Sequence, residues 1–209
     1  MVSLGSDVLF DKIVSRRRGG YCYELNGLFA GLLRNAGFEV KFLSARCFND
    51  DGSLSQEFDH LALWVCIPGA ADSGWLADVG FGDSFVEPLR LDLEGEQAQG
   101  FRAYRIEWDG EGRVVSQRKS DGGWERLFRF TMTPRSYPAD FEEMNRYHQT
   151  SPASPFTSQR MCTLPTAEGR VTLWDNRLVV TAFGERTETP VAEEERAPIL
   201  RERFGIMLG

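Results

Sequence analysis

Histidine is nearly missing from this chain, with two in 209 residues. Any chemistry that needs an imidazole must use His60 or His148. Cysteine is sparse as well. Cys22, Cys47, Cys66 and Cys162 form no Cys-x-x-Cys pair and no zinc-like grouping with histidine, so no metal site is expected and free thiols suited to a reducing cytoplasm are. No run approaches the roughly twenty apolar residues of a membrane helix, and the N-terminus lacks a signal-peptide pattern. Basic residues are outnumbered, 24 against 31 acids for a net charge of −7, which excludes the broad basic face a nucleic-acid partner calls for. Arg16-Arg17-Arg18 is the one dense basic run. It reads as a solvated helix end or as an attraction for the phosphates of a ligand. What is present is ordinary for a soluble globular protein: 42% hydrophobic and 26% charged residues, in a chain long enough to bury a core as one large or two modest domains.

Periodicity divides the chain. Residues 1–36 read as two helices separated by Gly19-Gly20, the second carrying the stripe Leu25-x-x-Leu28-Phe29-x-x-Leu32-Leu33 and stopping at Gly37. From Phe38-x-Val40-x-Phe42 onward the pattern alternates. Leu61 to Val65, Trp75 to Val79, Tyr104 to Trp108 and Leu127 to Phe130 read as strands between Gly- and Asp-rich turns, a barrel or sandwich signal. Pro138 to Tyr147 reads as a helical connector. Val171 to Leu173 and Leu178 to Ala182 flank Asp175-Asn176 as a hairpin. Thr189-Pro190 is expected to open a last helix, with Glu193-Glu194-Glu195 near its N-terminal end. The expected fold is α+β: a helical segment over 1–36, a β domain over 37–135, a connector over 136–155 and an α/β part over 156–209.

The sharpest motif is Arg18-Gly19-Gly20-Tyr21-Cys22-Tyr23-Glu24-Leu25-Asn26. The glycine pair allows a tight turn, and Cys22 falls in the first helical turn, where unpaired N–H groups and the helix dipole favour a thiolate. A thiolate nucleophile is normally partnered by histidine. His60 opens the apolar run Asp59-His60-Leu61-Ala62-Leu63-Trp64-Val65, and Asp78 lies in the next one, where an acid is costly to bury unless paired. Two strands joined through residues 68–74 should pair as neighbours and let Asp78 orient the imidazole. Each residue has a plainer reading: Cys22 as an inert buried thiol, His60 as a satisfied core residue, Asp78 as the cap of a turn. Their coincidence in so histidine-poor a chain favours a Cys22–His60–Asp78 triad. Cys47, Cys66 and Cys162 read as small core residues, and His148 as a surface residue.

These segments, Arg18 to Asn26, Asp59-His60 and Asp78-Val79-Gly80-Phe81-Gly82, occur in the order and separations that resemble the arylamine N-acetyltransferase family. Ser151 to Phe156 and Phe204-Gly205-Ile206 are similar to late segments of it, so the resemblance covers essentially the whole chain. It implies a helical first domain, a β-barrel and an α/β third domain around a papain-like or transglutaminase-like core. It also implies ping-pong transfer from acetyl-CoA, through a thioester on Cys22, to an arylamine, hydrazine or N-hydroxyarylamine. His60 would be the base and Asp78 its orienter. Tyr21, Gly80, Phe81 and Gly82 would border the substrate, with Phe81 on the aryl-binding wall or simply plugging the barrel end. Family members carry further helices ahead of the point where this sequence starts, which implies an N-terminally shortened member whose Arg18 lacks the acid that holds it. An amide synthase or cysteine hydrolase on the same triad, and an inactive binding module, are the competing readings. Oligomeric state stays open, a homo-oligomer included.

Overall fold

The structure, a computed structural model, describes residues 2–70 and 74–208. Helix α1 (Ser6–Phe10) widens into a π turn over Asp11–Ser15, and after the glycine pair comes α2 (Cys22–Asn35). The β domain follows: β1 (Glu39–Cys47), β2 (His60–Cys66), β3 (Trp75–Ala77), β4 (Leu89–Arg90), β5 (Gln97–Gln99), β6 (Arg102–Trp108), β7 (Arg113–Arg118) and β8 (Trp124–Arg135). A 3-10 turn and α3 (Glu142–Thr150) lead to α4 (Pro155–Ser158), then β9 (Met161–Thr166), β10 (Gly169–Trp174), β11 (Arg177–Ala182), β12 (Glu185–Pro190) and α5 (Glu193–Phe204). By internal contacts the chain forms two compact units, one of Tyr21–Met144 and the other of the segments before and after it.

In the first unit eight strands form one antiparallel sheet in the order β4-β3-β2-β1-β8-β7-β6-β5. The strands are short and twisted, and the inner face gathers Leu43, Ala62, Leu76, Val115, Phe128 and Phe130, all buried. Removing each large apolar side chain from water contributes about 1.5–3 kcal/mol. The backbone ladder leaves β4 and β5 as edges, and two side chains join them. The Gln97 amide accepts from Arg90 N (2.8 Å) and donates to Arg90 O (3.0 Å). The Gln99 amide accepts from Val86 N (3.0 Å) and Glu87 N (3.1 Å) and donates to Glu87 O (2.7 Å). Primary amides thus complete a nearly closed barrel and satisfy edge groups that would otherwise face water.

Helix α2 buries the side next to its apolar stripe, whose Leu25, Leu28, Phe29 and Leu33 are half-buried. Cys22, Tyr23, Glu24, Asn26 and Ala30 are buried, while Leu32 is 64% exposed. Gly80 of the loop after β3 comes close to Cys22, and Asn26 finds backbone partners in Leu61 and Val79.

In the second unit β9 to β12 form a meander in sequence order, with the two-residue Asp175-Asn176 turn between β10 and β11 as expected. Asp175 takes the left-handed conformation (φ 47°) that such turns need. Pro190 does not open a helix. It ends edge strand β12 opposite Arg177, a position where its missing N–H costs no ladder bond, and α5 starts three residues later. His148 is not on the surface either. It is 2% exposed, with Nδ1 3.3 Å from Ser154 Oγ and its ring edge-on to Phe156 at 4.9 Å. Arg18 donates to the Met207 carbonyl at 2.8 Å.

Candidate active site

Three elements of the first unit converge. Tyr21 is the N-cap of α2, extended at φ −97° and ψ −176°, and its N–H is accepted by the Glu24 carboxylate at 3.2 Å. Cys22 is therefore the first helical residue, 5% exposed, in the turn whose free N–H groups favour negative charge.

His60 is the first residue of β2. Pairing of β1 with β2 runs from Glu39↔Cys66 to Ala45↔His60, so the imidazole is fixed by a full-length ladder. Its Nε2 lies 2.6 Å from Asp78 Oδ2, and the two side chains are 4% and 1% exposed. Asp78 sits just beyond β3 rather than inside it. The strand stops at Ala77, paired with Leu63, because the next carboxylate turns the chain: Asp78 Oδ1 accepts from Gly80 N (2.8 Å) and Phe81 N (3.1 Å). Turn-capping and imidazole-orienting are thus performed by the two oxygens of one side chain.

Burial, the largest single influence on His60, disfavours its charge. It is outweighed by the charge and hydrogen bond of Asp78 and then by Cys22, and the pKa rises from 6.5 to about 10. Nε2 is engaged by Asp78, and Cys22 is the other group whose nearness favours the charged ring. Phe81 and Phe128 each hold a ring centroid 5.2 Å from the imidazole, keeping water from its flanks. Burial pushes the thiols of Cys47 and Cys162 up, away from reactivity.

Gly80 lies against the thiol's backbone. A Cβ there would meet Cys22 Cα at 2.5 Å, so only glycine allows the loop this close. Gly82 completes the loop at φ 100°. Phe81 is half-buried between the imidazole and Phe128, and Tyr21 packs on Tyr23 with ring centroids 5.3 Å apart.

Asn26 was not singled out by the sequence reading. One helical turn after Cys22 on the same face, it donates from Nδ2 to Leu61 O (2.7 Å) and Asp78 Oδ1 (2.8 Å), and its Oδ1 accepts from Val79 N (3.0 Å). One amide thus ties the start of α2, β2 and the loop after β3 together. Its signal was there: a polar residue at the i+4 position from the candidate nucleophile. Among the described residues no group of three His, Cys, Asp or Glu side chains could hold a metal.

The N-acetyltransferase family pattern matches residues 1–209. The chain belongs to that family. It is 35% identical to the arylamine N-acetyltransferase of Mycolicibacterium smegmatis, over 100% of this chain and 76% of the relative. It is 31% identical to arylamine N-acetyltransferase 2 of Mus musculus, over 99% of this chain and 79% of the relative. Among solved structures, the Mycobacterium marinum arylamine N-acetyltransferase in complex with CoA superposes with a TM-score of 0.90 at 30% identity, over 99% of this chain and 76% of that one. The family's fold, with N-terminal helices, a barrel-like sheet and a C-terminal α/β part, is the fold described above. The protein is an acyltransferase of this family.

Proposed function

We propose that this protein transfers an acetyl group from acetyl-CoA to an arylamine, arylhydrazine or N-hydroxyarylamine, with Cys22 as nucleophile, His60 as base and Asp78 as orienting acid. The observation that carries the reading is the buried His60–Asp78 pair at 2.6 Å, with Cys22 at the first position of α2 acting on the same imidazole. Cys22 Sγ attacks the acetyl carbonyl, the carbon–sulfur bond to CoA breaks, and the proton held between Cys22 and His60 leaves with the CoA thiol. The amine then attacks the Cys22 thioester, gives a proton to His60, and the regenerated thiol is the leaving group. Backbone N–H groups of the first helical turn are suited to the oxyanion of both tetrahedral intermediates. Asp78, held by Asn26 and by two backbone N–H groups, keeps the imidazole turned toward the thiol throughout. Tyr21, Gly80, Phe81 and Gly82 border this point, and Phe81 offers an aromatic face for an aryl acceptor.

Four free thiols suit a reducing compartment, and the proposed location is cytoplasmic. The test is incubation with acetyl-CoA followed by mass spectrometry of the intact protein and its peptides. One acetyl group on Cys22, lost on adding an arylamine and never formed in Cys22→Ala, is the expected outcome. A folded protein that takes up no acetyl group would overturn the assignment. An adduct that decays equally fast with and without amine would mark a hydrolase instead.

A further inference from the structure

Phe58 is the unusual residue near the site. Its backbone is left-handed at φ 63°, a conformation that a bulky side chain avoids and that persists only where the surroundings impose it. Here they do so from both ends of the residue. Its N–H donates to Ser44 Oγ at 3.0 Å, and Ser44, 3% exposed, in turn donates to Glu57 Oε1 at 2.8 Å. Its carbonyl accepts from the hydroxyl of Tyr23. Its ring stands edge-on to Phe141 at 5.3 Å, beneath the Arg135 guanidinium at 5.0 Å.

The two ends of this link matter. Tyr23 follows Cys22 directly and is fully buried, and Phe58 precedes Asp59-His60. Tyr23 is fixed in turn: its carbonyl accepts from the Tyr137 hydroxyl at 3.0 Å, in a notch that exists because Gly27 has no side chain. A Cβ at Gly27 would fall 2.2 Å from that hydroxyl. A hydrogen-bonded relay therefore runs from Tyr137 through Tyr23 to the strained peptide from which β2 starts.

We propose that Tyr23 is a positioning residue: its hydroxyl holds the left-handed turn at Phe58 and thereby sets where His60 stands relative to Cys22. This rests on the triad assignment. The Asn26 amide and the Asp78 carboxylate fix the acid side of the imidazole, and the Tyr23–Phe58 link fixes the start of its strand. Removing the hydroxyl leaves a ring of the same shape in the same aromatic cluster, so the fold has little reason to fail while the turn loses its anchor.

The experiment follows iodoacetamide alkylation of each cysteine by peptide mass spectrometry across pH, with the steady-state kinetics of acetyl transfer, in wild type, Tyr23→Phe and Ser44→Ala. The wild type should alkylate at Cys22 well ahead of Cys47, Cys66 and Cys162. Tyr23→Phe should displace the pH profile of Cys22 alkylation and lower kcat about tenfold or more, the scale expected for a slightly misplaced base, with KM nearly unchanged. Ser44→Ala, which frees the same residue at its N–H, should move both readouts in the same direction. A folded Tyr23→Phe with the wild-type pH profile and kcat overturns the proposal. Should that variant not fold, an unaltered profile in Ser44→Ala overturns it equally. A wild-type Cys22 no more reactive than the other thiols overturns the triad, and this inference with it.

Discussion

Gly80 and Asn26 show how little freedom single positions have at this site. Gly80→Ala would place a methyl group 2.5 Å from Cys22 Cα, and backbone on both sides cannot yield as a flexible side chain can. The loop must retreat, taking Asp78 with it. We expect a stability loss of about 1–3 kcal/mol, the usual cost of forcing extra volume into packed structure, and a larger proportional loss of activity. Urea unfolding and the rate of Cys22 acetylation, measured on one sample, check this. A variant stable and active as wild type would mean that loop and helix are further apart than described. Asn26 is the more informative position. Asn26→Ala removes the acceptor of the Val79 N–H and the side-chain donor to the buried Leu61 carbonyl, and the loss at Leu61 costs about 1–3 kcal/mol. Asn26→Asp has the same shape yet sets a second carboxylate against Asp78, in place of the amide that donates to it at 2.8 Å. Thermal denaturation should rank Asn26→Asp at or below Asn26→Ala near neutral pH and narrow the gap as the pH falls. A gap that does not change with pH would show that charge between the two acids is not the cause.

At the scale of elements, the legible features were those written in short-range pattern. The Gly-Gly turn, the helix opening at Cys22, the hairpin at Asp175-Asn176 and the run from His60 to Cys66 all follow from local chemistry. What escaped was decided by partners distant in sequence. Asp78 looked like an acid inside a strand until its carboxylate was seen to end that strand. The stripe from Leu25 to Leu33 marked α2 as a helix, but the face that meets the site is the neighbouring one, fixed by Gly80 and Asn26. Pro190 carries the same fixed φ in a helix start and at the end of an edge strand, so spacing alone could not separate them. Closure of the barrel was unreadable for the same reason: Gln97 and Gln99 in a polar stretch give no periodic signal. Yet the amides make five backbone bonds across the seam. Replacing both by alanine should cost about 1–3 kcal/mol, allowing roughly half a kilocalorie or more per hydrogen bond with part of the loss returned by water. It should also speed amide hydrogen exchange at Val86, Glu87 and Arg90 well above that in β1 or β8. Equal exchange in wild type and variant would mean the seam is held by packing and not by these side chains.

For the molecule as a whole, the site leaves a mark on the pH dependence of folding. Most of its ion pairs are exposed and contribute little, as with Arg90–Asp92 or Arg118–Glu96. The His60–Asp78 pair differs because both side chains are excluded from water. In the unfolded chain His60 titrates near its ordinary 6.5, and in the folded protein at about 10, with burial opposing the rise and Asp78 and Cys22 producing it. A group whose pKa is raised on folding stabilises the native state fully below its unfolded value. That contribution is lost as the pH climbs toward the folded value, because the native state then binds more protons than the unfolded one. Stability should therefore decline between about pH 6.5 and pH 10, and His60 should account for much of the slope. Equilibrium urea unfolding at intervals across that window isolates the effect when wild type is set beside His60→Gln. Groups remote from position 60 are the same in both proteins, so the difference between the two curves belongs to the imidazole and the groups it faces. The wild-type curve should fall more steeply with rising pH, the two converging toward the alkaline end. Asp78→Asn, which keeps the imidazole but removes the charge that holds its proton, should also flatten the curve. Parallel curves for wild type and His60→Gln would mean that the histidine is buried neutral, and that the site begins its reaction without an imidazolium beside Cys22.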